Sequence, residues 1–495
     1  MFEIDRDLMG ILSKLSPVCS TPDCKAYLVG GFVRDWLIGK DTTDLDIAVS
    51  GDSLAIAQEA AELVDGTYVL LDEENRVGRI VVAEDENTWQ IDITAFTDDI
   101  HRDLLRRDFT VNAMALELSS FVQGNAQLLD PAGGEQDLKK GLLRQVSDRV
   151  FRDDPSRLMR AVRLARELNL EIDQITEENV RLNSNLVNRV ASEKLREELL
   201  KILALPYAGN SICYLDELGL LCKVIPELET MKGVKQPGEH YWDVFEHTIE
   251  AVGSLEFLLW ESDWVYGRKD LRAMVPWTDE ISEHFDEEIA GGSSRRTLIK
   301  LGMLLHDIAK PKTKTVDEDG RIRFYGHMGA GAEMATAVLD RLRFSNREIR
   351  YIQKLVLHHL HPAQMSNEGL PTDRAVYRYF RDTEGAGLDI LFLALADYLA
   401  VAGPRVDVDE WHMHVEHVKY IIDVHNKQEN EILPVKLVSG DDLMREFNLA
   451  PGKTVGKLLI MVREAQAAGE LHSRQEALDF VKKELDKRAL AVPPE

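Results

Sequence analysis

The stretch VGGFVRDWLIGKDTTDLDIAVS, residues 29–50, decides the fold of the N-terminal part of the chain. Its segment LDIAV has the apolar alternation of a β-strand, in which residues i and i+2 point to the same face. Asp44 and Asp46 therefore share one face and repel each other unless a cation lies between them. Carboxylate oxygens are suitable ligands for hard divalent cations, so the pattern predicts a metal site directly after a glycine turn.

Short β-type runs and one helical run surround this stretch. AYLVG, TYVLL, RIVVA and WQIDITAF predict further strands between residues 25 and 120, and SLAIAQEAAELV predicts a helix capped by Asp52 or Ser53. After about residue 151 nearly the whole chain has helical periodicity, although 261–296 is charged and weakly periodic and is predicted as an irregular insertion. We therefore expect an α/β head followed by a long all-α body.

Length and composition indicate a folded protein of several domains. A chain of 495 residues exceeds one ordinary core, and 44% hydrophobic with 29% charged residues is typical of a soluble protein. The sequence contains no run of about 18 apolar residues, which a membrane span would need. The N-terminus lacks the pattern of a signal peptide. The four cysteines have no metal-like spacing. We expect a cytoplasmic protein without a membrane partner, and the oligomeric state stays open.

The distribution of charge leaves room for a nucleic-acid partner. The net charge is −27, yet the segment 139–166 carries nine Lys or Arg residues against three Asp residues. A bound phosphate backbone responds to such a local patch rather than to the total charge of the protein. A solvated helix face explains the same composition equally well.

The residues around the two aspartates fit a site for a nucleoside triphosphate. Asp92 lies on a neighbouring predicted strand and is the candidate third carboxylate. Gly30 and Gly31 allow the backbone to approach a triphosphate closely, and Arg34 offers a fork of donors to phosphate. A bare Asp-x-Asp is more often an ordinary solvated strand face, but the Gly-Gly-x-x-Arg-Asp lead-in favours the nucleotide site.

Four motifs in order resemble one enzyme family. GGFVRDWLIGK…DLDIAVSGD resembles the active-site motif of the class II tRNA nucleotidyltransferases and their bacterial poly(A) polymerase relatives, which share a polymerase-β-like head. LLRRDFTVNAMAL resembles the family's ribose-reading motif, with Arg107, Asp108 and Asn112 in matching places. LDPAGGEQDLKKG resembles the head–neck joint, and RDDPSRLMRAVRLA resembles the base-recognising helix. Together these motifs cover about residues 25–205.

The last of these motifs predicts a charged face on one helix. Asp153, Arg157 and Arg160 have the spacing i, i+4 and i+7, and Asp154 lies three residues before Arg157, so all four are expected on one face. A carboxylate beside a guanidinium presents an acceptor and donors, as the pairing edge of a base does. The resemblance implies that Asp154 and Arg157 read the incoming base, with Arg160 and Arg163 near phosphate or RNA. A salt-bridged surface helix is the alternative.

The resemblance also implies a reaction. Mg²⁺ held by Asp44, Asp46 and Asp92 would support transfer of CMP, and also of AMP in full CCA-adding members, from CTP and ATP to the 3′ end of tRNA, with release of pyrophosphate. Full CCA-adding members usually have a mobile loop between the third acid and the RRDFT motif, whereas DITAFTDDIHRDLLRRDFT has little spare length and resembles the CC-adding enzymes. The alternatives are a bacterial poly(A) polymerase, or a degenerate head attached to a second enzyme.

A second set of ligand-type residues lies in the helical part. His306 and Asp307 are adjacent in LGMLLHDIAKP, and His247 and Asp397 lie on separate predicted helices before and after them. Nitrogen and oxygen ligands from three helices suit a divalent transition metal. For His306 alone, a satisfied core histidine would be the more frequent explanation.

Further histidines extend this set. His327, and His358, His359 and His361 in LHHLHP, are candidates for a second metal or for binding phosphate. The pattern resembles the HD phosphohydrolase domain over about residues 235–405, which some tRNA nucleotidyltransferases carry.

The sequence therefore predicts four domains. They are a nucleotidyltransferase head (1–138), a helical neck for base recognition and RNA binding (139–232), an HD domain (233–430) and a C-terminal helical module (431–495), whose Lys453 and Lys457 are candidates for contact with tRNA.

Overall fold

The computed structural model describes residues 5–84, 87–97, 99–238, 240–365, 369–432 and 436–490. The chain forms two compact units. The first contains Met1–Glu198 and Tyr214–Val224, and the second contains Leu199–Cys213 and Ile225–Glu495.

The first unit is built on a mixed seven-stranded sheet. Its strand order is β3-β4-β5-β2-β1-β6-β7, in which β2 and β5 are parallel and the other neighbours are antiparallel. The strands are β1 (Ala26–Val29), β2 (Asp44–Val49), β3 (Thr67–Asp72), β4 (Val77–Glu84), β5 (Asn87–Ala95), β6 (Ala115–Glu117) and β7 (Leu128–Leu129).

Twelve helices begin within or pass through the described part of this unit, and α10 and α11 each contain residues assigned to both units. They are α1 (Arg6–Cys19), α2 (Gly31–Ile38), α3 (Ser53–Leu63), α4 (Ile100–Leu104), α5 (Leu118–Val122), α6 (Gly134–Lys140), α7 (Val150–Asp153), α8 (Arg157–Glu167), α9 (Gln174–Asn183), α10 (Ser192–Ala204), α11 (Ala208–Glu217) and α12 (Leu221–Val224). Two short strands, β8 (Leu142–Leu143) and β9 (Glu171–Ile172), pair in parallel.

Strand β2 explains how the sheet separates its core from its polar face. Leu45, Ile47 and Val49 are buried in a hydrophobic core that also includes residues of α1 and α3, whereas Asp44 and Asp46 project from the other face.

The five predicted strands and the predicted helix are present. Asp52 caps α3, because its side chain accepts hydrogen bonds from the backbone N–H groups of Leu54 and Ala55.

The second unit is almost entirely helical. Its helices are α13 (Val244–Leu258), α14 (Lys269–Arg272), α15 (Asp279–Asp286), α16 (Arg295–Leu305), α17 (Lys310–Thr313), α18 (His327–Arg341), α19 (Asn346–His358), α20 (His361–Met365), α21 (Asp373–Thr383), α22 (Gly387–Ala402), α23 (Val408–Lys427), α24 (Gly440–Phe447), α25 (Lys453–Ala467) and α26 (Arg474–Leu490). Four strands form two short hairpins, namely β10 (Glu288–Ala290), β11 (Ser293–Ser294), β12 (Thr315–Val316) and β13 (Ile322–Arg323). The predicted irregular insertion thus contains short helices and the first hairpin.

One helix in the described part of the chain, Gly387–Arg405, is long and apolar enough to cross a membrane, and 61% of its most apolar window is buried within the protein. It contains a buried charge, Asp389, which accepts hydrogen bonds from Tyr351 (2.5 Å) and Arg295 (3.1 Å). Helix α22 is therefore a core helix of the second unit, packed against α13 and α16.

The last three helices have a small hydrophobic core of their own. It includes Leu443 of α24, Leu458 and Val462 of α25, and Val481 of α26. The final segment is thus a compact group of helices.

Candidate active sites

The sheet of the first unit brings two carboxylates and a guanidinium into one row. In the strand register Asp46 of β2 pairs with Asp92 of β5, and Asp92 pairs with Arg79 of β4. Directly paired residues lie on the same face of a sheet, so the three side chains are neighbours. Arg79 donates from Nε and Nη2 to the two oxygens of Asp92 at 2.7 and 2.8 Å. Arg79 was not among the site residues predicted from the sequence, although the pairing of RIVVA with WQIDITAF across a hairpin would have indicated it.

Gly30 lies directly against this row. Its φ is 69°, in the left-handed region, and a Cβ added there would lie 2.5 Å from Asp46 Oδ2 and 3.1 Å from Arg107 Nη1. A side chain at this position is therefore excluded both by backbone conformation and by space. The two glycines were expected to let the backbone approach a ligand closely. At Gly30 the backbone instead lies close to the carboxylate of Asp46.

The electrostatics of the row fit a divalent cation. Burial raises the pKa of Asp46, and Asp92 and Asp44 raise it further, while Arg107 lowers it only in part. The carboxylates therefore repel one another. A hard cation bound to their oxygens would offset this repulsion. Asp44, Asp46 and Asp92 fit such an ion by type and placement.

Arg34 does not have the open position that the sequence suggested. Its side chain is buried, it donates from Nε and Nη2 to both oxygens of Asp35 at 2.8 and 2.9 Å, and its Nη1 donates to Asn112 Oδ1 at 2.7 Å. These bonds engage all three nitrogens of the guanidinium inside the protein. Arg34 therefore orients Asn112 instead of presenting a fork to phosphate, and Gly31 packs against it, since a Cβ there would lie 3.4 Å from Arg34 Nη2.

Asp108 links the RRDFT motif to helix α8. Its Oδ1 accepts hydrogen bonds from Phe109 N (2.8 Å) and Asn112 Nδ2 (3.1 Å), and its Oδ2 lies 3.3 Å from Arg160 Nη1. Burial by itself raises the pKa of Asp108, but Arg160 and these donors outweigh burial and leave the pKa lowered. Asp108 is therefore a buried carboxylate that holds two of the recognised motifs together.

The charged motif RDDPSRLMR is divided between two helices. Helix α7 ends at Asp153, Asp154 is extended (φ −142°, ψ 100°), and α8 begins at Arg157. The expectation that Asp153, Asp154, Arg157 and Arg160 share one helix face is wrong, because Pro155 disfavours helical backbone at the residue before it. Asp153 is exposed, and its nearest ion-pair partner is Arg149 at 3.8 Å.

Asp154 and Arg157 remain side by side despite this break. Asp154 Oδ1 accepts from the backbone N–H (3.0 Å) and hydroxyl (2.6 Å) of Ser156, and Asp154 Oδ2 lies 3.8 Å from Arg157 Nε. Arg157 Nη2 donates to the carbonyl of Arg106 (3.2 Å), whereas its buried Nε has no hydrogen-bond partner among the described residues. The pair presents an acceptor and a donor together next to the RRDFT motif.

Glu198 is a second residue near the site that was not predicted from the sequence. Its buried carboxylate lies 3.5 Å from Arg160 Nε and 2.8 Å from Arg163 Nε, and Arg163 also donates to Glu167 at 2.6 Å. Arg160 and Arg163 are therefore paired within the first unit. No local pattern around Glu198 indicated this contact, since it lies 35 residues or more from both arginines.

The helical body of the second unit brings the predicted metal ligands close to one another. His247 lies on α13, His306 and Asp307 follow the end of α16, and Asp397 lies on α22. His247 Nε2 is 3.3 Å from His306 Nε2 and 3.0 Å from Asp397 Oδ1. His306 Nε2 is 3.2 Å from Asp307 Oδ2. The structure thus brings all four together.

A second cluster lies on the opposite side of the same aspartate. His327 Nε2 and His359 Nε2 lie 3.6 and 3.8 Å from Asp307 Oδ1 and 3.3 Å from each other. His358 points elsewhere, because its ring stacks on that of His361 (centroids 5.8 Å apart). Asp307 is therefore shared by two clusters, one on each carboxylate oxygen.

Three of these histidines are oriented by hydrogen bonds between Nδ1 and a backbone carbonyl. The Nδ1 atoms of His306, His327 and His359 each lie 2.7–2.8 Å from the backbone carbonyl three residues earlier. A carbonyl only accepts, so each Nδ1 carries a proton, and Nε2 is the atom directed into the cluster, where a metal ion can take the place of a second proton. Hydrogen bonds from Nδ1 to a backbone carbonyl orient metal-binding imidazoles in this way.

The spacing and charge of the clusters fit divalent ions. Two atoms that each bind one ion at about 2.1 Å lie about 3.0–3.4 Å apart, which matches the nitrogen and oxygen separations around His247 and His306. Neither oxygen of Asp307 accepts a well-aligned hydrogen bond from a described residue, although Lys310 Nζ forms an ion pair with Oδ2 at 2.5 Å. Burial by itself lowers the pKa of His306, but Asp307 and Asp397 raise it to about 10. The site therefore favours positive charge.

Family comparisons match three parts of the chain. Residues 26–144 match the family described as "Poly A polymerase head domain", 169–232 match "Probable RNA and SrmB- binding site of polymerase A", and 277–402 match "HD domain". His247 lies outside the HD match, and the fold alone brings it to the other ligands.

Whole-length relatives extend these matches. The chain is 35% identical to an A-adding tRNA nucleotidyltransferase of Deinococcus radiodurans, over 92% of this chain and 95% of that protein. It is 31% identical to a CC-adding tRNA nucleotidyltransferase of Thermus thermophilus, over 92% and 93%. A solved CCA-adding enzyme in an apo form has the same fold, with a TM-score of 0.65 at 22% identity over 97% of this chain and 95% of that one.

Proposed function

The chain belongs to the tRNA nucleotidyltransferase family, and on that premise we propose that it transfers nucleotidyl groups from CTP or ATP to the 3′ end of tRNA and releases pyrophosphate. The observation that carries this proposal is the row of Asp46 and Asp92 on adjacent parallel strands, with Asp44 beside them and Arg107 against Asp46. These residues are in place together, which favours an active head over a degenerate one.

The residues around the row of carboxylates in the first unit each have a role in this proposal. Asp44, Asp46 and Asp92 would hold Mg²⁺, which would supply positive charge at the α-phosphate and its attacking oxygen. Arg107 supplies fixed positive charge beside Asp46 for the triphosphate. Gly30 leaves space for this arrangement.

Recognition of the incoming base falls to Asp154 and Arg157. Asp154 and Arg157 lie side by side, with 3.8 Å between Asp154 Oδ2 and Arg157 Nε, and a carboxylate beside a guanidinium offers the acceptor and donors that the edge of a base requires. Asp108 and Asn112 are buried and bonded to Arg160 and Arg34, so we assign them to holding the nucleotide site together.

We infer that the enzyme adds CC and leaves the terminal A to another enzyme. Strand β5 ends at Ala95, α4 spans Ile100–Leu104, and Arg107 comes three residues later, so few residues separate β5 from the RRDFT motif. In the family a shortened connection at this position resembles the CC-adding members.

The purified protein is therefore expected to extend a tRNA that lacks its CCA end by two CMP residues, and to add AMP to a tRNA ending in CC at least about 100-fold more slowly. Product length on a sequencing gel, with CTP or ATP as the sole nucleotide, measures both rates. AMP addition to the CC-ending tRNA without CMP addition would instead assign the activity of the Deinococcus relative. A-only extension of unrelated RNA would indicate a poly(A) polymerase.

Arg79→Ala is expected to lower kcat by about 10- to 100-fold, the usual cost of removing a side chain that orients a metal ligand. Arg79 fixes both oxygens of Asp92, so its loss should also raise the Mg²⁺ concentration needed for half-maximal rate, with the KM for tRNA unchanged. Arg76→Ala is the matched control, because Arg76 lies at the start of the same hairpin and pairs with Asp52. Equal Mg²⁺ curves for Arg79→Ala and wild type would contradict this role.

A second function is favoured by the two clusters that share Asp307 in the second unit. Divalent transition metals bound there when present would polarise a phosphate ester, and we propose a metal-dependent phosphohydrolase at this site. His247, His306 and Asp397 would hold one ion and His327 with His359 another, and Asp307 offers one oxygen to each cluster. His358 has no part in it.

The remaining assignments follow from the same premise. We propose a cytoplasmic enzyme with a head in 1–138, a neck in 139–232, an HD domain in 233–430 and a tRNA-contacting module in 431–495 that uses Lys453 and Lys457.

A further inference from the structure

Helix α4 lies in the short connection between β5 and the RRDFT motif, and two apolar side chains fix it to the sheet. Ile100 and Leu104 are buried in a hydrophobic cluster that also contains Val29 of β1 and Ala115 of β6. Asp103 lies between them in sequence and is only partly buried, with 20% of its side chain exposed. The helix therefore presents a carboxylate from a fixed place beside the motif.

This carboxylate binds the two arginines that begin the RRDFT motif. Asp103 Oδ2 accepts hydrogen bonds from Nε and Nη2 of Arg107, each at 3.3 Å, and Asp103 Oδ1 accepts one from Arg106 Nη2 at 3.0 Å. The backbone N–H of Arg107 also donates to the carbonyl of Leu104 at 3.2 Å. Asp103 and Arg107 have the i, i+4 spacing at which side chains of consecutive helical turns meet. Arg107 is therefore held through both its backbone and its side chain.

The other edge of the Arg107 guanidinium is directed at the carboxylates of the sheet. A Cβ built at Gly30 would lie 3.1 Å from Arg107 Nη1 and 2.5 Å from Asp46 Oδ2, so this nitrogen and Asp46 meet at the same glycine. Asp103 engages the opposite edge, which consists of Nε and Nη2. One edge of the guanidinium is thus fixed, while the other faces the proposed binding place of the triphosphate.

The charges indicate what Asp103 prevents. Arginine has a long and flexible side chain, and in a partly buried site it turns toward the nearest carboxylate, because opposite charges attract strongly there. Without Asp103, Arg107 would turn toward Asp46 and compete with Mg²⁺ and with phosphate oxygens. We infer, on the basis of the proposed nucleotidyltransferase function, that Asp103 is a positioning residue that keeps Arg107 in the orientation that binds the triphosphate.

Asp103→Asn tests this inference on the full chain, with the nucleotide that the wild-type protein adds, CTP or ATP, and its matching tRNA. The kcat/KM for that nucleotide is expected to fall about 10- to 100-fold, because misplacement of a positioning group costs this much. The KM for tRNA and the melting temperature should be unchanged, whereas a merely structural defect would lower the melting temperature and leave the nucleotide KM as it was. The inhibition constant of pyrophosphate should rise, since pyrophosphate presents phosphates without a base.

Two further variants serve as controls. Asp103→Glu keeps the negative charge and should recover most of the lost kcat/KM. Asp99→Asn removes an exposed carboxylate at the start of the same helix, where Asp99 pairs only with the exposed His101 among the printed ion pairs of the connection, and it should behave as wild type.

A double-mutant cycle measures whether Asp103 acts through Arg107. In an Arg107→Ala background, Asp103→Asn should change the single-turnover rate by less than about twofold, because the group that it positions is absent. A full additional loss in that background would overturn the inference. So would a wild-type kcat/KM and pyrophosphate inhibition constant for Asp103→Asn beside an impaired Arg107→Ala. No nucleotide addition by the wild-type protein, or an unimpaired Arg107→Ala, would instead overturn the proposed function or the role of Arg107 in it, and the inference with them.

Discussion

Asp46→Asn is expected to lower the rate of nucleotide addition by at least about 1,000-fold without lowering the melting temperature. Removal of one carboxylate from a cation site costs several kcal/mol of transition-state stabilisation, and each 1.36 kcal/mol is about tenfold in rate. Stability should be retained because burial and the neighbouring Asp92 and Asp44 raise the pKa of Asp46, so that its ionised form is unfavourable in the folded protein. A neutral amide of the same size relieves this repulsion. Single-turnover addition of CMP and thermal unfolding without metal measure the two effects.

Asp41→Asn is the matched control for this variant. Asp41 is exposed in the same connection before β2, so its neutralisation should change neither rate nor melting temperature by more than a small amount. A rate for Asp46→Asn within about tenfold of wild type would contradict the assignment of β2 to the catalytic site.

Asp307→Asn is expected to remove both metal ions from the second unit, whereas His327→Ala should remove one. The two oxygens of Asp307 face different clusters, Oδ2 toward His247 and His306 and Oδ1 toward His327 and His359. Loss of the shared ligand therefore affects both sites, and phosphodiester hydrolysis should fall by at least about 100-fold. Metal content per chain after dialysis against Mn²⁺ measures the stoichiometry. Introducing the changes into an Asp44→Asn, Asp46→Asn background removes the contribution of the head.

His358→Ala serves as the control, because its ring stacks on His361 and does not enter either cluster. It should retain the metal content of the unaltered HD site. A loss of the same single ion in Asp307→Asn and His327→Ala would show that the aspartate is not shared, and the two-ion description would then be wrong. Nucleotide addition, measured in the background with an intact head, should be unaffected by all three changes.

Much of the first unit followed from local patterns. The period-2 alternation of LDIAV placed Asp44 and Asp46 on the face opposite Leu45 and Ile47, and the structure has them there. Alternation is a property of the extended chain itself, so no tertiary information was needed. The helix after Asp52 was equally local, since its cap depends only on residues two and three positions along. The head and the helical body were likewise predictable.

The partners of Arg34 are both local and distant, because the adjacent Asp35 engages its Nε and Nη2. Arg34 looked available for phosphate, but Asn112, 78 residues away, occupies its Nη1. The division of the base-recognition motif at Pro155 is local, because the proline itself carried the signal.

The sequence by itself determined the residue types of both sites and the architecture that carries them, because strand alternation, helix periodicity and ordered motifs are encoded locally. Only the tertiary structure decided which candidates meet. Strand register brought Arg79 to Asp92, helix packing brought Glu198 to Arg160 and Arg163, and the packing of α18 against α19 brought His327 to His359. These contacts join residues that are far apart along the chain, and the free energy that selects them comes from burial and pairing in the assembled core, which no local pattern records.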